Sequence, residues 1–400
     1  MFNKSIILLW LGHVISHAGD AIYQIALPWL VLELTGSKSI TSLIAVSAYL
    51  PAVLFSLPAG VIADRFPRKQ VMIFSDTARM LLVGLMVAFL LTGGEQPFLI
   101  GTLAFAVASF ASLFYPARDA LIPSLVSKDR LTAANAFIST SGQFAHLAGP
   151  VMAGLLVAWV GLIHLFTIDA VTFGVSMVCI ALITTSKKRH PVGNSRPSHL
   201  ADLIAGLKHV TRENRTMGLL LLLTAINNIF IMGPAVLGIP IFVREVLQLE
   251  FAAYAAIEAF MAAGMLTGSF LLWRFGRGIN PSLVLLVGMV TDGLTYSILY
   301  WIDSFSATKA LIFLHGIGIP MITISRTTII QLVVPDVYRG RVFSMVNLSV
   351  IGLTALSSGL VGPLAEVIPI STVFLLTGIG AALCGVFGLS HRKLLTLVQM

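Results

Sequence analysis

Gly60-Val61-Ile62-Ala63-Asp64-Arg65-Phe66-Pro67-Arg68-Lys69 places four charges in six residues between two long apolar runs. No charge lies within the twenty residues upstream of Asp64, the nearest being Lys38, and a fresh apolar segment starts directly after Lys69. A soluble fold gains nothing from that compression. A membrane fold does, because charges collect where a tight turn between adjacent spanning helices meets water.

The rest of the 400-residue chain agrees: 57% of it is hydrophobic and only 10% is charged, against about 25% charged in an ordinary globular domain. The apolar residues fall into twelve runs, each long enough to cross a ~30 Å hydrocarbon core as a helix. Helices are required there because lipid cannot satisfy backbone N–H and C=O groups, and the runs lack the alternation of barrel strands. The expected fold is therefore all-α, a polytopic membrane protein of twelve transmembrane helices in two six-helix halves.

The spans read as 6–32, 42–63, 71–92, 97–117, 132–159 and 163–185, then 216–243, 252–273, 281–302, 307–333, 342–367 and 370–389. Residues 1–185 and 216–400 form the two bundles, and 186–215 a basic linker carrying Lys187, Lys188, Arg189, Arg196, Lys208, Arg212 and Arg215. With both termini cytoplasmic, 21 of the 25 Lys and Arg residues fall on or near the inner face. Lys38, Arg244 and Lys309 fall outside, and Arg326 lies within the tenth span. That asymmetry sets the orientation, and it assigns the net charge of +8 to membrane topology rather than to nucleic acid. The first apolar run is too long for a signal peptide and reads as a retained helix. Cys179 and Cys384 have no ligand neighbours and read as small core residues. Arg65-Phe66-Pro67-Arg68 recurs as Arg274-Phe275-Gly276-Arg277, a faint internal repeat in which Trp273 replaces Asp64.

The G-x-x-x-D-R-x-x-R-K spacing of Gly60 to Lys69 resembles the signature between helices two and three of the major facilitator superfamily. Three more blocks resemble its drug-efflux branch, which includes macrolide exporters and the enterobactin exporter. They are Ala26 to Ser37, Phe114 to Pro123 with Ala133 to Ala136, and Arg326 to Gln331 with Val334-Pro335-Asp336 and Arg339 to Val342. Gly149-Pro150-x-x-Ala153-Gly154 resembles the antiporter motif of helix five, with Ala153 where that motif has Gly. The resemblance implies a secondary transporter without cofactor or metal. It implies that Gly60, Asp64, Arg65, Arg68 and Lys69, with Arg118 and Arg326, control gating. It also implies that Gly149, Pro150 and Gly154 form the kinkable stretch of a proton-linked exporter. Read from the residues alone, Arg65 and Arg68 also suit a plain topology signal, which Gly60 and Asp64 at this spacing do not, and the glycines of helix five also suit a close helix crossing.

Ionisable side chains inside a span are costly and mark cavities or partners. The candidates are Asp20, His146, Asp169, Glu258, Asp292, His315 and Arg326. Asp20 lies near mid-membrane in span one with His17 and Gln24 on its face, a polar stripe able to carry a proton or meet a cationic substrate. His146 sits beside the Gly149-Pro150 kink. Asp292 is expected to pair with Arg326, Glu258 to lie in a hydrated outer mouth, and Asp169 to be shallow and structural. No phosphate-binding loop, metal cluster or nucleophile motif is present, so no enzyme is expected. The expectation is a monomeric, proton-coupled exporter of a hydrophobic or amphipathic small molecule in the bacterial inner membrane. The alternatives are a dedicated exporter of a siderophore or other self-made metabolite, a lipid flippase, and a non-transporting sensor on a transporter fold.

Overall fold

The computed structural model describes residues 3–184 and 205–398; Lys187, Lys188, Arg189, Arg196 and Asp202 of the expected linker lie outside them. Among the described residues the regular structure is all helix, and eleven helical segments are long and apolar enough to cross a membrane. Two compact units partition the chain: Met1–Gly36 with Leu43–Arg196, and Ser37–Ser42 with Pro197–Met400.

The first unit is built on α1 (Lys4–Thr35), α2 (Lys38–Leu54, counted with this unit from Leu43 on), α3 (Ser56–Arg65), α4 (Arg68–Leu91), α5 (Pro97–Leu125), α6 (Leu131–Val160) and α7 (Leu162–Ala181). Local chemistry explains these limits. The Asn3 side chain accepts from Ile6 N at 3.0 Å to start α1, satisfying one of the donors a helix N-terminus leaves open. Gly36 ends it in the left-handed conformation at φ 62°, which only glycine adopts without strain.

The second expected span is not one helix. It breaks at Phe55 into α2 and α3. Pro58 supplies the reason: it has no N–H for the Leu54 carbonyl, and its ring crowds that carbonyl, while Pro is tolerated in the first turn of the new helix.

The second unit holds α8 (Arg215–Gly233), α9 (Ile239–Glu245), α10 (Phe251–Phe275), α11 (Pro281–Ile298), α12 (Phe305–Val333), α13 (Asp336–Val367), α14 (Ile370–Ser390) and α15 (Arg392–Leu395). A π-helical turn at Pro234–Gly238 joins α8 to α9 as one crossing. Asn214 and Asn280 cap α8 and α11, accepting from Met217 N at 3.0 Å and Ser282 N at 2.8 Å.

The packing order inside the units is the same. In the first, α1 packs on α6 and α7, and α4 on α5 and α7; in the second, α8 packs on α13 and α14, and α11 on α12 and α14. The faint sequence repeat thus corresponds to a repeat in the packing of four helices of each unit. Leu9, Met72, Phe114 and Ile180 centre the core at one end of the first unit, and Leu220, Met289, Ile329 and Leu394 that of the second.

Candidate functional site

The densest concentration of buried charge lies in the first unit around Arg79, a residue outside the expected set. Arg79 sits eleven residues into α4, about 16 Å along its axis, and is 1% exposed. Its Nη2 bonds the Asp76 carboxylate one turn earlier, and its Nη1 lies 3.5 Å from Asp20 Oδ2 on α1. The guanidinium stacks between the rings of Phe114 and Phe173, 4.9 and 4.2 Å from their centroids. Those two rings replace part of the lost hydration by cation–π attraction.

Asp76 and Asp169 are both fully buried. Neither carboxyl oxygen of Asp169 has a hydrogen-bond partner among the described residues. Asp169 is therefore shielded from water inside the unit, without the hydration expected of a shallow position. Gly19 brings α7 close to α1: a Cβ there would stand 2.6 Å from Asp169 Oδ1, one residue from Asp20. Three carboxyl groups from three helices thus gather near one guanidinium. Arg79 counts toward this cluster rather than toward the cytoplasmic boundary.

Beside the cluster opens a cavity of about 500 Å³ lined by His13, His17, Tyr115, Arg118, Asn135 and Gln143, among others. His13 and His17 stack at 5.3 Å, and the Tyr115 hydroxyl lies 3.5 Å from His17 Nδ1. Arg118, 5.1 Å over the Tyr115 ring, holds Asp119 at 2.7 Å and reaches His13 Nε2 at 3.1 Å. Because arginine only donates, that contact requires an unprotonated nitrogen on His13. Gln24 is exposed, while His17 and Asp20 are half-buried.

The residues of the basic turn are engaged locally. Arg68 donates to the Ala120 carbonyl at 2.8 Å. Lys69 donates to the carbonyls of Ala181 and Ile183 at 2.7 and 2.8 Å, closing the end of α7 where a cation suits the helix dipole. Gly60 is half-buried and Arg65 exposed; the side chains of Asp64 and His146 lie outside the described residues. Gly149 meets α1 at Ala21, leaving no room for a Cβ, so α6 crosses α1 closely just before Pro150; Gly154 is half-buried.

In the second unit Asp292 does not pair with Arg326. Its Oδ1 lies 3.2 Å from His315 Nδ1, which is also 3.0 Å from the Thr295 hydroxyl. Tyr296 sits edge-on to the imidazole at 4.7 Å. His315 and Arg326 are eleven residues apart on α12, about 16 Å, so one carboxylate cannot serve both. Glu258 is only 7% exposed, packed inside the unit rather than in a hydrated mouth. Arg326 has no ion pair or hydrogen bond among the described residues, and it lines two cavities of about 490 and 250 Å³.

A family model for transmembrane secretion effectors matches residues 1–397. Macrolide efflux protein A of Streptococcus pyogenes is 26% identical over 377 residues, covering 92% of this chain and 91% of the relative. The multidrug efflux pump Tap of Mycobacterium tuberculosis is 27% identical over 381 residues, covering 92% and 88%. Among solved structures, a POT family transporter in complex with 5-aminolevulinic acid matches with a TM-score of 0.78 at 13% identity, covering 98% of this chain and 96% of that one. A point mutant of the nucleoside transporter NupG matches with a TM-score of 0.78 at 12% identity, covering 97% and 99%; both show the fold alone. The chain belongs to the transmembrane secretion effectors, membrane transporters of the major facilitator superfamily.

Proposed function

We propose that this transporter exports a hydrophobic or amphipathic small molecule by alternating access, driven by protons that enter and leave through the Asp20–Asp76–Arg79–Asp169 cluster. The observation that carries the reading is charge balance. Three carboxyl groups share one guanidinium, and unpaired ionised carboxylates are not stable away from water. Electroneutrality is met when two of the three carry protons, and any change in water access to Asp20, the most exposed of them, changes that number. His17 and Tyr115 stand between the cluster and the polar cavity and offer protons a route. The efflux proteins similar over nearly the whole chain support export as the direction. The turn from Gly60 to Lys69, with Arg118, would govern which side is open. The setting is the bacterial cytoplasmic membrane, with both termini cytoplasmic and the chain acting as a monomer.

The test is transport in proteoliposomes under an imposed pH gradient, with a panel of amphipathic fluorophores that are cationic, neutral and anionic. Wild type should concentrate at least one of them at the expense of the gradient. Asp20→Asn should abolish accumulation while leaving downhill exchange. Gradient-driven accumulation by the Asn variant equal to wild type would remove Asp20 from the coupling path.

A further inference from the structure

Among the described residues, Arg326 is a permanent cation without a protein counter-charge. It lies seven residues before the end of α12, about 10 Å from it, within a segment that crosses the membrane. Arginine cannot shed its proton to escape that position, and intramembrane charges otherwise pair with one another or face a water-filled path. Here the partners are two cavities that share Arg326 and Val346 in their walls.

The larger, about 490 Å³, is lined by Leu219, Leu222, Met345, Val346 and Val350 among others, with Arg215 as a second cation. The smaller, about 250 Å³, offers Thr327, Ser344 and Asn347. Among the described residues, neither wall contains an Asp or Glu. The acidic groups on the neighbouring segments are already engaged: Glu213 with His209 at 2.6 Å, Asp336 with Arg339 at 2.6 Å, and Asp292 with His315 at 3.2 Å.

We propose that this double cavity binds an amphipathic organic anion. Its carboxylate lies against the Arg326 guanidinium and the hydroxyl and amide groups of the smaller chamber, and its apolar body fills the larger one. The volume suits a drug-sized ligand, whose pockets run from roughly 300 to 1,000 Å³. The planar guanidinium fork matches a carboxylate in a way that an ammonium would not. This rests on the reading of the chain as an exporter of amphipathic molecules and specifies the charge it accepts in its second unit.

The test is equilibrium binding to the purified full-length protein in nanodiscs, using 1-pyrenebutyrate and its neutral carboxamide, which share the pyrene body and chain but replace the carboxylate by an uncharged group of similar size. A charge-assisted hydrogen bond removed from water is worth about tenfold or more in affinity. Wild type should therefore bind the carboxylate at least tenfold more tightly than the amide. Arg326→Gln should bring the two to parity, Arg326→Lys should keep part of the preference, and Ala225→Trp, which fills the larger chamber, should weaken both probes. Equal binding of the two probes by wild type overturns the proposal, whether or not any variant folds. So does a preference that survives Arg326→Gln, or Ala225→Trp binding like wild type. Displacement of the carboxylate alone by phosphatidylglycerol would assign the chamber to a lipid headgroup and equally overturn it. Retained charge-selective binding with no transport of any fluorophore would defeat the exporter reading and leave this one standing.

Discussion

Replacing Arg79 by Met removes the only cation of the buried cluster while keeping a side chain long enough to stay between Phe114 and Phe173. At 3.5 Å from Asp20 and an effective dielectric near 20, the pair attraction is about 5 kcal/mol. The Asp76 bond adds to it, and partial hydration of Asp20 subtracts. Breaking a buried pair by deleting one partner costs about 3–5 kcal/mol, because the other charge is stranded. Arg79→Met should therefore be destabilised by several kcal/mol. Arg79→Met combined with Asp76→Asn, which removes one stranded charge, should recover about half of that. The assay is a double-mutant cycle on reversible SDS unfolding in mixed micelles, with Asp76→Asn alone as the fourth corner. If Arg79→Met is as stable as wild type, or the double variant is no better than Arg79→Met, the cluster is not held by charge.

Three further outcomes are expected. Gly149→Leu should lose about 1–3 kcal/mol of stability through overpacking against Ala21, and Ala21→Gly should restore part of it; both are read as melting temperature by size-exclusion fluorescence. His315→Leu strands Asp292, while the Thr295 hydroxyl keeps the carbonyls of Thr291 and Asp292, and should cost about 2–3 kcal/mol, most of it regained in His315→Leu/Asp292→Leu; an unchanged midpoint for His315→Leu in SDS unfolding would make the contact incidental. Asp64→Asn should impair transport while the labelling of cysteines introduced at both termini is unchanged, and normal transport would reduce the Gly60–Lys69 turn to a topology signal.

The membrane made the helices legible: where backbone polar groups have no water, an apolar run of sufficient length has one solution. The break between α2 and α3 was also written in the chain, at Pro58, but a hydropathy window averages over a single missing hydrogen bond. Asp76 and Arg79 are hard to read from the sequence for a related reason. They follow Arg68 and Lys69 closely enough to merge with the boundary charge, and only the depth of α4 separates structural cations from topological ones. Their i,i+3 spacing inside an otherwise apolar run was the available signal.

Partner choice was less legible. Asp292 had two basic residues on α12 to choose from, and the axial offset between α11 and α12, which no single chain pattern carries, selects His315 and leaves Arg326 to its cavities. Glu258 and Asp169 are covered for the same kind of reason, since position along a helix says nothing about which face is packed against a neighbour.

Proton release on substrate binding tests the coupling most directly. In lightly buffered detergent solution with a pH-sensitive dye, adding a transported substrate to wild type should release protons, and the release should vanish in Asp20→Asn while substrate still binds. Proton release of equal size from Asp20→Asn would show that the cluster around Arg79 holds the fold together without driving transport.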